Sequence, residues 1–292
     1  LGTRLRTWCD PGVAAATVPV LALTSALLIT GGTVPAGGQA RPAAVAVAPY
    51  GAPDGAWRLE FEDDFDGDSL DETKWSSGFG WGETSGNTVG YCDPDHNIVS
   101  DGVLEQRIER RTQGGMPFSV GCINSRARFS QLYGYWEASI RMAGCRGARG
   151  AFWAKPDDES WPPELDVVEV YGDDRDRADL TIHWEERGDY QRDKGNFTGP
   201  DFSAGFHVFA ARWSPEETIW YIDGVEVRRT TAGTRFMNDG GAFYTMIEAQ
   251  VIRESSRCGE WPYYSSQYVD YVRIWSPSCC SCDDEDDVSP FE

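Results

Sequence analysis

Between Trp57 and Trp275 the chain consists of short runs in which apolar and polar residues alternate, and nowhere does a helical 3.6-residue period persist. Turn-forming pairs separate the runs, among them Asp66-Gly67, Asp101-Gly102 and Asp223-Gly224, residue types that tolerate the backbone of tight reversals. Trp220-Tyr-Ile-Asp-Gly-Val-Glu-Val227 reads as two apolar half-strands around Asp-Gly, a hairpin. Many short strands at this spacing point to an all-β sandwich. With 292 residues the chain has length for one β domain of about 200 to 250 residues plus appendages.

One predicted strand carries chemistry. In Trp161-Pro-Pro-Glu-Leu-Asp-Val-Val-Glu-Val-Tyr171, acids stand at Glu164, Asp166 and Glu169, and the other positions from Leu165 onward are Leu, Val or Tyr, as a strand favours. Alternation puts Glu164 and Asp166 on one face and sends Glu169 to the other. One extra residue, bulged at Val167-Val168, brings Glu169 back. Glu164 and Glu169 are then four strand steps apart, about 13 Å along the backbone. Two Glu side chains leaning inward on a concave sheet close most of that gap. Carboxyls about 5 to 5.5 Å apart serve retaining glycosidases as nucleophile and proton donor. Asp166, between them, helps keep one Glu ionised and the other protonated near neutral pH. The bland alternative is a solvated acidic strand, since 47 Asp and Glu make acidic clusters by chance.

Glu164-Leu-Asp-Val-Val-Glu169 matches the Glu-x-Asp-x-x-Glu signature of glycoside hydrolase family 16, which includes laminarinases, lichenases, agarases and carrageenases. The chain resembles that family further at Phe61-Glu-Asp-Asp-Phe-Asp-Gly67, Tyr133-Gly-Tyr-Trp-Glu-Ala138, Gly150-Ala-Phe-Trp153 and Phe206-His-Val-Phe-Ala210. Ile219-Trp-Tyr-Ile-Asp-Gly224 and Val269-Asp-Tyr-Val-Arg-Ile-Trp275 continue the series, in the family's order, over about three quarters of the chain. The resemblance implies a concanavalin A-like jelly roll of two curved antiparallel sheets with a cleft on the concave face. It assigns Glu164 as nucleophile, Glu169 as acid/base and Asp166 as helper carboxylate. It also implies substrate contacts in the cleft by Trp161, Trp153, Arg126, His183 and Trp184.

Met246-Ile-Glu-Ala-Gln-Val251 departs from the family's segment of apolar residues around an Asn. Glu248 and Gln250 share a face by alternation and are expected in the cleft. The family's Trp-Pro before Ala-Phe-Trp is also missing, with Arg149-Gly150 in its place. No cofactor is implied for catalysis. A structural Ca²⁺ is, with Asp64, Asp270 and the Gly102 carbonyl as matching hard-oxygen ligands.

The expected function is therefore secreted, monomeric endo-hydrolysis of a β-linked polysaccharide, most simply β-1,3- or mixed-linkage glucan. Three alternatives stand beside it: a transglycosylase, a galactan hydrolase of the same family and a non-catalytic glucan-binding module. Relatives that only bind have typically lost the acids that this chain keeps. A formal net charge of −21 repels polyanions, which argues against nucleic acid and heavily sulfated polysaccharides as partners.

Residues 1–46 resemble a signal peptide, with Arg4 and Arg6 before an apolar stretch and small residues near Ala40 and Ala46 as cleavage points. The same stretch has the length of a membrane anchor; cleavage leaves no membrane segment. Residues 47–56 read as a linker, 57–276 as the catalytic domain and 277–292 as an acidic, Cys-containing tail. Cys92, Cys122, Cys145 and Cys258 are expected in disulfides of open pairing. Cys9 falls in the leader, and Cys279, Cys280 and Cys282 fall in the tail.

Overall fold

The computed structural model describes residues 48–259 and 265–278. The expected signal peptide of 1–46, most of the expected tail, and Cys9, Cys279, Cys280 and Cys282 lie outside the described residues. In chain order the strands are β1 (Trp57–Asp63), β2 (Ser76–Ser77), β3 (Gly90–Cys92), β4 (Asn97–Ser100), β5 (Val103–Glu109) and β6 (Phe118–Val120). Then come β7 (Cys122–Asn124), β8 (Gly134–Arg141), β9 (Ala148–Pro156), β10 (Glu164–Tyr171), β11 (Asp174–Glu186) and β12 (Asp189–Thr198). The last are β13 (His207–Trp213), β14 (Thr218–Ile222), β15 (Val225–Thr230), β16 (Phe243–Val251) and β17 (Ser266–Pro277). Among the described residues no helix is long and apolar enough to cross a membrane.

Two sheets form the sandwich. One has ten strands, ordered β15-β14-β13-β8-β17-β5-β6-β3, with β1 on β17 and β4 on β5; the other has seven, ordered β12-β11-β10-β9-β16-β7-β2. Pairing is antiparallel except between β3 and β6. The all-β sandwich is what the alternating sequence dictates, and the two antiparallel sheets are those of the jelly roll that the family resemblance implies. At Asp101-Gly102 and Asp223-Gly224 both residues have positive φ, the left-handed pair that two-residue hairpins require. Arg187-Gly188 makes the same turn between β11 and β12, where no Asn or Asp announces it.

The main core lies between the sheets and includes Trp136, Trp213, Trp220, Phe152 and Phe209, with Leu165, Val167, Val168 and Val170 from β10. Disulfides join Cys92 to Cys122 and Cys145 to Cys258. The expected linker is, from residue 48 on, docked rather than free. Tyr50 N donates to Glu137 at 2.6 Å, the Tyr135 hydroxyl donates to Tyr50 O at 2.7 Å, and Ser278 N donates to Ala56 O at 2.7 Å.

Candidate active site

The bulge falls at Val167. Asp166 pairs with Trp153 of β9, while Val168 pairs with the very next residue, Phe152. On the other side Asp166 faces Thr181 and Glu169 faces Asp179 of β11, three residues against two. Both Val167 and Val168 enter the core, and Glu164, Asp166, Glu169 and Tyr171 all line the concave face. Across the sandwich, Trp220 Nε1 donates to the Asp166 carbonyl at 2.8 Å. That bond satisfies a buried backbone oxygen at the bulge.

The cleft over these acids has a volume of about 710 Å³ and is walled by Trp81, Trp153, Trp161 and Tyr190. A larger hollow of about 1150 Å³ opens beside Arg141, Cys145 and Asp173. It holds none of the paired acids, so chemistry rather than size selects the smaller one.

The acids are tied to one another through His183. Its Nε2 lies 3.0 Å from Asp166 Oδ2 and 3.4 Å from Glu164 Oε1, and its Nδ1 lies 2.6 Å from the Tyr190 hydroxyl. Trp161 Nε1 donates to Glu164 Oε2 at 2.9 Å. Burial, and then the charge of Asp166, push Glu164 up to about 8. Burial and the charge of Glu169 raise Asp166 well above the usual carboxylate range. Burial lowers His183, against the upward pull of Glu164 and Glu169. A neutral imidazole between two buried acids leaves the Glu164–Asp166 pair holding a proton near neutral pH. Ligand atoms of Glu164, Asp166 and His183 lie within 4.8 Å of one another, within reach of a metal ion. Hydrogen bonds to Trp161, Tyr190 and each other already account for that closeness.

Of the residues expected to contact sugar, Trp161 is 55% exposed and stacks at 5.4 Å on Tyr190, itself 47% exposed. The two rings offer an open apolar face. Trp153 lines the cleft but is buried, 6.0 Å from Trp81. Glu248 reaches the cleft floor, buried against Arg149.

Three expectations are corrected. Trp184 belongs to the core, because a strand that turns His183 to the cleft turns its neighbour inward. Gln250 shares the face of Glu248 but is covered by Gly90 and donates to both sulfurs of the Cys92–Cys122 disulfide at 3.4 Å. Arg126 does not line the cleft; it donates to Gly80 O at 2.6 Å and pairs with Glu159 at 2.9 Å, bracing a loop.

Asp64, Gly102 and Asp270 lie away from the cleft, where β1, β5 and β17 meet. There Asp64 accepts from Arg273 at 2.6 Å. Its charge is thereby matched, so a Ca²⁺ at that oxygen has to displace a guanidinium.

Sequence reasoning missed Tyr190, Arg192 and Lys194, three cleft residues of β12. Their i, i+2 spacing after Gly188 was the available signal. It also passed over Arg149 as a functional group, noting it only as a departure.

The family model described as Glycosyl hydrolases family 16 matches residues 92–269. Endo-1,3-1,4-beta-glycanase EglC of Rhizobium meliloti (strain 1021) is 31% identical over 194 residues, 58% of this chain and 41% of that protein. A beta-glucanase of Rhodothermus marinus is 29% identical over 186 residues, 57% of this chain and 63% of that protein. The chain thus spans between two fifths and two thirds of the length of these curated relatives. Among solved structures, the laminarinase from Rhodothermus marinus superposes with a TM-score of 0.65 at 24% identity, over 77% of this chain and 99% of that one. The endo-beta-1,3-glucanase from Pyrococcus furiosus gives 0.64 at 22% identity, over 76% and 95%. At such identities the superpositions establish the shared fold.

Proposed function

The chain belongs to glycosyl hydrolase family 16, and we propose that it is a secreted, retaining endo-hydrolase of β-1,3- or mixed-linkage β-glucan. The observation that carries this proposal is the bulge at Val167, which puts Glu164, Asp166 and Glu169 on one cleft face. The names of the glucanases it resembles support the substrate.

In the proposed mechanism a glucan chain lies across the concave sheet with a sugar ring on the Trp161–Tyr190 platform. Glu164 attacks the anomeric carbon while Glu169 gives its proton to the departing glycosidic oxygen, and a glycosyl-enzyme ester forms. Glu169, now a carboxylate, takes a proton from water. That water attacks the same carbon, releasing Glu164 and restoring the configuration. Attack needs Glu164 ionised, so the proton that the resting pair holds on Glu164 passes to Asp166, which His183 holds at 3.0 Å, as the bond to the sugar forms. Trp161 Nε1 steadies the nucleophile through its other oxygen.

The test is release of reducing ends from laminarin, lichenan, agarose and carrageenan, with Glu164→Gln as control. Oligosaccharides from laminarin or lichenan, absent in the variant, are expected. Undiminished turnover by the variant, or activity confined to the galactans, overturns the proposal.

A further inference from the structure

The cleft floor holds a buried cation beside Glu169 that the proposed mechanism does not use. Arg149, on β9, is in register with Tyr171 of β10 and Gln250 of β16. Its side chain is 9% exposed, and Nη1 lies 3.5 Å from Glu169 Oε1. Its Nη2 donates to Glu248 Oε1, and the Glu248 side chain is 1% exposed. A guanidinium stays charged in a protein, so burying it demands a counter-charge, which Glu248 supplies.

The pair is poorly explained as scaffolding. Among the described residues, Arg149 Nε and Glu248 Oε2 are both buried with no hydrogen-bond partner. A half-satisfied buried ion pair is less stable than apolar residues filling the same space. Its distinguishing property is its place against the carboxyl that donates and then accepts the proton.

We propose that Arg149, held by Glu248, is a positioning residue that fixes Glu169 and balances its charge between the two steps of the reaction. This rests on Glu169 being the acid/base. In the first step Glu169 has to carry a proton beside the scissile oxygen, and in the second it has to be an anion beside water. Arg149 favours the anion. Glu248, bound to the same guanidinium, offsets that charge and keeps the protonated form accessible.

The other charges around Glu169 are constant in this comparison. Asp166 and Tyr171 flank it on β10, the latter with its hydroxyl 3.4 Å from Oε1. Asp179 faces it from β11 but is matched by Lys194 of β12 at 2.7 Å and Arg177 at 3.0 Å. His183, also on β11, is held neutral by burial.

Opposite charge changes within one pair distinguish a tuning role from a structural one. Profiles of kcat/KM against pH on soluble glucan are compared for the wild type, Arg149→Met, Arg149→Lys, Glu248→Gln and the double replacement Arg149→Met/Glu248→Met. Removing the cation moves the basic limb up by about one pH unit, and removing the counter-ion moves it down by about as much. Arg149→Lys and the double replacement stay near the wild-type limb. If Arg149→Met does not fold, Glu248→Gln and the double replacement carry the test, with near-UV circular dichroism reporting the fold. Limbs that move the same way, or do not move, overturn the proposal.

Glu169→Ala on an aryl β-glycoside with a good leaving group separates the two layers. Loss of the basic limb there, with no movement in the charge variants, overturns the positioning role alone. Persistence of the limb overturns the acid/base assignment beneath it.

Discussion

Glu164→Gln is expected to remove catalysis and to stabilise the protein, by an amount that depends on pH. Burial and Asp166 raise Glu164 from an ordinary value of 4.5 to about 8. Below pH 4.5 the acid is protonated in both folded and unfolded chains, so folding carries no penalty. As pH rises the unfolded chain releases this proton while the folded chain retains it, and stability falls by about 1.4 kcal/mol per pH unit. The fall levels off above about pH 8, where both states are ionised. A Gln has no proton to retain. At pH 7 the variant therefore gains at most roughly 3 kcal/mol. This is a ceiling, because the Glu164 side chain is 16% exposed and solvent screens part of the penalty. Half the ceiling still raises the melting temperature by roughly 3 to 7 °C for a domain of this size. Urea or thermal melts of both proteins at pH 4.5, 6, 7 and 8 are the assay. The gain should grow with pH from near zero. A variant less stable than the parent at pH 7, or a gain independent of pH, refutes the claim that this acid is held protonated at an energetic cost.

Three further outcomes follow from the structure. Trp161→Ala and Tyr190→Ala should each raise KM for glucan about five- to tenfold, the worth of one aromatic face. Tyr190→Phe keeps the ring but loses the contact to His183 Nδ1, so steady-state kinetics should show a lower kcat with KM nearly unchanged. Opening the Cys145–Cys258 disulfide by Cys258→Ser should destabilise more than opening Cys92–Cys122. The loops span 113 and 30 residues, worth about 5 and about 3.5 kcal/mol by chain entropy, and denaturant midpoints of the two variants would rank them.

Where alternation alone decides, the sequence was legible. The two-fold period announced the sandwich, and the run of Val and Leu among the acids of β10 announced the strand; strict alternation sends Glu169 to the far face, and a bulge at Val167-Val168 was what a shared face required, which the register at Val167 supplies. The same rule, applied to neighbours, excludes Trp184 from a cleft that receives His183. Gln250 was a different matter: it does face the side that alternation gives it, but the segment ending in β3 folds over it, pinned by the Cys92–Cys122 bond. A loop that covers a face leaves no mark on the strand it covers. Arg126 failed for a related reason, since its partners Gly80 and Glu159 come from loops remote in sequence. Arg149 and Glu248 are 99 residues apart. Each looked like an isolated departure until the register of β9 and β16 paired them.

The roles assigned to Glu164 and Glu169 are tested most directly by azide rescue of Glu164→Ala and Glu169→Ala on an aryl β-glucoside of suitable length, with the product anomer read by NMR. Azide entering where Glu164 is missing attacks from the nucleophile's side and should give the α-glycosyl azide. Azide intercepting the ester on Glu164 in Glu169→Ala should give the β-glycosyl azide. Interchanged anomers, or one anomer from both variants, contradict the division of labour along this strand.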